Sequence, residues 1–219
     1  MGRYLYIETD GMLYLVKRGE RWTLPAAEEA ERGTIPFPFE SKATLGVQGH
    51  EVVYCVPRLP HHPRDWHPKD EIPGRDDVEP LVRMAVHHTL PRVVVEALIV
   101  KGKSVLLVKP SRGFNRGTWT LPGGFVSYGE SPAEAVAREV EEEAGVPCRV
   151  GRLLGVYSFV GKESSYTWHM FTYEVEVLGE EFRPAVDEIE EVRWVPLKEA
   201  RALVHGIKRK ILQDHAPGE

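Results

Sequence analysis

Apolar residues in the first 57 positions recur at every second place, the period of a half-buried strand. Tyr4, Tyr6 and Ile7 run up to Asp10-Gly11, and Met12, Tyr14 and Val16 follow it. Asp-Gly between two such runs predicts a hairpin, because both residues tolerate positive φ. Thr44–Val47 and Glu51–Tyr54 predict a second hairpin across Gln48-Gly49-His50. From Arg92 the pattern changes. Arg92–Val100 and Ser104–Lys109 read as strands around the turn Lys101-Gly102-Lys103. Ser131–Ala144 reads as a helix. Arg149–Val160 and Thr167–Val177 read as a long hairpin, and Glu191–Val195 as a short strand. A last helical region, Leu197–Leu212, is broken near Gly206. Mixed strands with substantial helices predict an α/β sandwich after residue 91, preceded by a small antiparallel β unit.

Between these regions lie six prolines, at 57, 60, 63, 68, 73 and 80. Proline removes backbone donors and interrupts ladders, so the stretch reads as a linker or long ordered loop. A short helix, Val82–His88, follows it. The organisation expected is therefore a β domain at 1–57, a linker with a short helix at 58–90, and a larger domain at 91–219. The net charge of −5 argues against a nucleic-acid backbone as the main partner, since phosphate contacts require Lys and Arg. No leader pattern opens the chain and no apolar run is long enough to span a bilayer, so the cytoplasm is the expected location and no membrane partner is expected. Cys55 and Cys148 lack zinc-type spacing and read as reduced thiols. The histidines of HHPRDWH, at 61, 62 and 67, read as loop residues.

The chemistry concentrates in GFVSYGESPAEAVAREVEEEAGV, Gly124 to Val146. Ser131 with Glu134 three places on forms a capping box, with Pro132 at the first helical position. Gly145 is a stop signal. At about 100° per residue, Ala133, Val136, Ala137, Val140 and Ala144 form the expected core face. Glu139, Glu142 and Glu143 fall on an adjoining arc. Like charges at these spacings cost a helix about 0.2–0.5 kcal/mol per pair, and the C-terminal half disfavours anions further. Such a run fits a solvated acidic face. It also fits a divalent cation, and oxygen ligands favour Mg2+ or Mn2+.

The stretch resembles the Nudix box, G-x5-E-x7-R-E-U-x-E-E-x-G-U with U aliphatic. Gly124, Glu130, Arg138, Glu139, Val140, Glu142, Glu143, Gly145 and Val146 occupy its fixed positions. The resemblance covers roughly residues 91–203. It implies the α/β/α sandwich of the Nudix hydrolases and hydrolysis of a nucleoside diphosphate linked to another moiety. It implies Glu139 and Glu143 as the main metal ligands, assisted by Glu142 and the Gly124 carbonyl. Arg138 would orient the glutamates, and Glu130 would be a secondary ligand or helix-orienting group. Bound metal ions would neutralise the pyrophosphate and acidify a water whose proton a carboxylate accepts. The base is expected in the box, at Glu142, or on the loop 185–191, at Glu188 or Glu191.

Trp119, Tyr128, Phe159 and Trp168 are the expected substrate contacts, because aromatic faces stack on bases. ADP-ribose or another nucleoside diphosphate sugar is the substrate expected first. The alternatives are a (d)NTP or dinucleoside polyphosphate, or a non-catalytic module that senses a nucleotide. Such modules commonly lose box glutamates, and all are present here. The N-terminal unit is a candidate for partner binding or homodimerisation. WTLP occurs at Trp22–Pro25 and again at Trp119–Pro122, preceded by Leu-Val-Lys in both places. This echo predicts that the N-terminal strands 3–17 copy strands 92–109 without the catalytic helix.

Overall fold

A computed structural model describes every residue except Phe114, Lys162, Glu163, Ser165, Ala185, Val186 and 217–219. The chain divides into two compact units, Met1–Pro91 with Val160–Thr167, and Arg92–Phe159 with Trp168–Glu219.

The first unit holds β1 (Arg3–Thr9), β2 (Met12–Tyr14), β3 (Val16–Arg18), β4 (Arg21–Thr23), α1 (Ala27–Glu31), β5 (Phe39–Val47), β6 (His50–Pro57), β7 (His67–Pro68) and α2 (Pro80–Thr89). Both expected hairpins form. Asp10 and Gly11 have φ of 48° and 73°, and Gln48 and Gly49 have 50° and 77°. His50 pairs with Val47, so the second turn has two residues rather than three. The sheet order is β5-β6-β1-β2-β7. One expectation needs correction: β1 and β6 are parallel, so the unit is mixed rather than antiparallel. Alternation records which face a residue takes, not strand direction. The long connection through β3, β4 and α1 lets β6 return on the far edge of β1, running the same way.

The proline-rich stretch takes the ordered-loop form. Ile72, Val78, Val82, Ala85 and Val86 are buried against Tyr6, Leu13, Leu24, Val47 and Val52. Residues 58–90 thus belong to the first unit, because its sheet has an apolar face that α2 covers.

The second unit holds β8 (Arg92–Leu98), β9 (Val100–Lys101), β10 (Ser104–Pro110), α3 (Pro132–Ala144), β11 (Cys148–Val160), β12 (Thr167–Val177), β13 (Ile189–Pro196), α4 (Leu197–Leu203) and α5 (Gly206–His215). Of the hairpin turn expected at 161–165, Lys162, Glu163 and Ser165 lie outside the described residues. The sheets read β11-β12-β8 and β9-β10-β13. α3 packs on one side through Val95, Ala97, Ile99 and Leu106. α4 and α5 pack on the other through Val94, Leu98, Val105 and Leu107. This is the α/β/α sandwich expected. Among the described residues no helix is long and apolar enough to cross a membrane.

The two units share a wiring plan. β1 is parallel to β6 as β8 is to β12. β2 pairs antiparallel with β7 as β10 does with β13. The Leu5 amide donates to the Pro25 carbonyl at 2.8 Å, and the Ala97 amide to the Pro122 carbonyl at 2.8 Å. The two WTLP prolines therefore accept the same bond from corresponding strands. The strands around 3–17 and those around 92–109 share these pairings and this bond. Only the second copy continues into a long helix, 13 residues against five.

Gly145 ends that helix with φ of 65°, and a Cβ there would meet the Arg183 carbonyl oxygen. Gly145→Ala should cost roughly 1–3 kcal/mol, from left-handed strain plus the clash. Urea unfolding against wild type checks this.

Candidate functional site

The carrier helix is capped as its sequence dictates. The Glu134 amide donates to Ser131 Oγ at 3.3 Å, and the Ser131 amide donates to Glu134 Oε2 at 2.9 Å. The inward face differs from expectation. Ala135, Val136, Val140 and Ala144 are buried, whereas Ala133 and Ala137 are only half-buried. With Ala135 on one flank and Val136 on the other, Glu139 and Glu143 lie inside the buried arc rather than beside it. The helix is rolled toward its glutamates.

Gly123 and Gly124 make room for them. A Cβ on Gly124 would sit 2.4 Å from Glu139 Oε1, and one on Gly123 would strike the Val95 carbonyl. The Gly123 amide donates to Glu143 Oε2 at 2.9 Å. The Gly124 carbonyl accepts from the Val95 amide at 2.9 Å, which leaves its second lone pair.

Arg138 is the hub. Its Nε and Nη2 donate to the two oxygens of Glu130 at 2.8 and 3.1 Å. Nη1 donates to Glu139 Oε1 at 2.8 Å and Glu142 Oε2 at 3.0 Å. Nη2 also donates to the Phe125 carbonyl at 2.9 Å. One planar fork thus ties the glycine turn to three glutamates, a geometry lysine cannot reproduce. Glu130 has both oxygens engaged, since Oε2 also accepts from the Ser127 amide. Its carboxyl is held down to about 2, first by the Arg138 bonds.

The other carboxyls are pushed the opposite way. Burial raises Glu143 to about 8, against the Gly123 amide bond, with repulsion from Glu139 and Glu96 adding to it. Burial also raises Glu139, opposed by Arg138. Below them Glu96 of β8 is buried and raised by desolvation, although Lys208 Nζ lies 2.8 Å from its Oε1. Crowded carboxylates, a glycine cradle and oxygen-only donors fit a divalent cation. Among the described residues no three acidic, His or Cys side chains yet close on one centre. Arg138 and the Gly123 amide hold the glutamates instead.

Other expected residues are distributed unevenly. Phe159 and Trp168 stack at 6.4 Å with planes 9° apart, and Phe125 joins Trp168 at 5.7 Å. Trp119 instead packs on the core with the Arg193 guanidinium 4.6 Å over its ring. Tyr128 is fully exposed. Glu188 is paired with Arg112 and Glu191 lies 3.9 Å from Arg193. On the loop expected to carry them, Ala185 and Val186 lie outside the described residues. Sequence reasoning missed Phe125, Glu96 and Lys208. The available signal for Glu96 was a lone charge inside the apolar run RVVVEALIV.

Comparison with known proteins agrees with this geometry. The NUDIX domain pattern matches residues 90–215. ADP-ribose pyrophosphatase of Methanocaldococcus jannaschii is 34% identical over 125 residues, 57% of this chain and 73% of that protein. Diphosphoinositol polyphosphate phosphohydrolase 2 of Rattus norvegicus is 34% identical over 113 residues, 52% of this chain and 56% of that protein. A MutT NUDIX hydrolase from Burkholderia pseudomallei superposes with a TM-score of 0.51 at 30% identity, covering 58% of this chain and 99% of that one. A NUDIX hydrolase from Nitrosomonas europaea gives 0.53 at 27% identity, covering 57% and 88%. Fold and box together define a pyrophosphohydrolase. The chain belongs to the NUDIX domain family.

The raised Glu143 carboxyl makes a pH prediction. Folded protein retains a proton there that the unfolded chain has released above about 4.5. This contribution therefore makes the chelated protein less stable as pH rises from about 4.5 through 8. A divalent cation favours the ionised form. Saturating Mg2+ should raise the melting temperature more at pH 8.5 than at pH 5.5, and equal shifts would contradict the assignment.

Proposed function

We propose that this chain hydrolyses the pyrophosphate bond of a nucleoside diphosphate joined to a second group, with ADP-ribose or a nucleoside diphosphate sugar as substrate and Mg2+ as cofactor. The observation that carries the reading is the Arg138 hub, which gathers Glu130, Glu139 and Glu142 beside the Gly123-Gly124 cradle. The archaeal ADP-ribose pyrophosphatase supports the substrate class.

Glu139 and Glu143, with the free lone pair of the Gly124 carbonyl, would hold the cation. Once bound, a divalent ion supplies charge neutralisation for the phosphates and lowers the pKa of a coordinated water. Arg138 keeps Glu139 and Glu142 at fixed positions. Glu142, 51% exposed, would accept the water's proton. Glu188 and Glu191, engaged with Arg112 and Arg193, serve as surface charges in this scheme. The Phe125–Trp168–Phe159 cluster offers ring faces to the base, each stacked base contributing about 1–3 kcal/mol.

The test is a Mg2+-dependent release assay over ADP-ribose, NADH, dinucleoside polyphosphates, (d)NTPs and a diphosphoinositol polyphosphate. ADP-ribose should turn over fastest, giving AMP and ribose 5-phosphate. Glu139→Gln and Glu143→Gln should each lower kcat roughly 100-fold or more. Trp168→Ala should raise KM for ADP-ribose about tenfold with less effect on kcat. Turnover of none of these, or wild-type rates in Glu139→Gln, would overturn the reading.

A further inference from the structure

Glu96 and Lys208 form a buried ion pair that the scheme above does not use. Glu96 sits in the middle of β8, opposite Gly123, between the bonds from Val95 to Gly124 and from Ala97 to Pro122. Lys208 reaches it from α5. Their side chains are 5% and 14% exposed, with Nζ 2.8 Å from Oε1. Lys208 also donates to Thr120 Oγ1, in the second WTLP. One carboxylate oxygen is thereby held and oriented.

The other oxygen is the anomaly. Among the described residues, the buried Glu96 Oε2 has no hydrogen-bond partner. An unmet buried polar atom costs about 1–3 kcal/mol, and more when charged. In register on β12, Thr172 lies opposite Glu96, and its buried Oγ1 also has no hydrogen-bond partner among the described residues. Besides Lys208, Glu96 interacts electrostatically with two other carboxyls, Glu139 and Glu143. Acids cannot satisfy an acid's free oxygen unless one holds a proton or a cation intervenes. A buried pair with one side left open is poor stabilisation, since desolvation offsets most of the attraction. Its placement against the Gly123 backbone needs another reason.

We propose that Glu96 is a further carboxylate of the divalent-cation site, with Lys208 as the positioning residue that binds one oxygen and leaves the other for the cation. This rests on the cation site of the proposed function. It adds a ligand from the strand floor to those on the helix. Thr172 Oγ1 is placed to support the same polar occupant. Lys208 also offsets the negative charge that Glu143 experiences from its acidic neighbours.

Mn2+ affinity, measured by titration calorimetry or by the loss of free Mn2+ EPR signal, tests this without turnover. Wild type and Glu143→Gln calibrate the site. If wild type binds no Mn2+, the proposed function fails and takes this inference with it. If wild type binds, Glu96→Gln should weaken binding roughly tenfold or more. The isosteric Glu96→Gln/Lys208→Met double variant should lose affinity similarly while leaving no unpaired buried charge, and it serves if the single variant does not fold. Binding within about twofold of wild type in either folded variant would overturn the proposal and leave the pair structural. Failure of both variants to fold, against a wild type that folds, would also overturn it, because a ligand role predicts that the neutral pair is tolerated.

Discussion

One guanidinium holds most of the site together. Arg138 makes five hydrogen bonds, two to Glu130, one each to Glu139 and Glu142 from Nη1, and one back to the Phe125 carbonyl. Without it, three carboxylates on the C-terminal half of α3 would repel one another against the helix dipole. Glu143 stands outside this fork, supported by the Gly123 amide, and shows the stress most clearly in its raised carboxyl. Glycines at 123 and 124 follow from the same constraint, since any Cβ there would occupy carboxylate or backbone space. The capped helix, the glycine turn and the bare strand β8 behind it all serve to bring acids close and keep them in place.

The first unit shows what the same scaffold looks like without that demand. Its parallel β1–β6 pair, its antiparallel β2–β7 pair and its proline carbonyl bond have counterparts in the second. After Pro25 come alanines and a five-residue helix, whose Glu29 is engaged with the Ala26 amide and Arg18. With no carboxylate cluster to place, there is no need for the glycine pair or a long helix. The wiring is carried by the strands, and the chemistry by the helix added to one copy.

Much of this was legible in the sequence because it is local. Turn dipeptides, the Ser131–Glu134 cap, the Gly145 stop and the spacing of Arg138 and the box glutamates each depend on neighbours within a few residues. What escaped depends on distant partners. The parallel β1–β6 pair depends on which edge a returning strand meets. The ordering of 58–90 depends on an apolar sheet face that only exists once β1, β2 and β6 assemble. Glu96 reads as an oddity in an apolar run until Lys208, over a hundred residues away, supplies its partner. The expected roles of Trp119 and Tyr128 failed to assemble with the aromatic cluster for a similar reason. One packs beneath Arg193 and the other faces solvent, and alternation alone does not separate these from Phe159 and Trp168.

The proposed divalent-cation site comprises Glu139, held by Arg138, Glu143, held by the Gly123 amide, and the Gly124 carbonyl. Anomalous diffraction from crystals soaked in Mn2+ tests it most directly. The expected result is a peak within coordination distance, roughly 2.0–2.3 Å, of Glu139, Glu143 and the Gly124 carbonyl. A map with Mn2+ bound elsewhere on the chain and none at these three groups would contradict it.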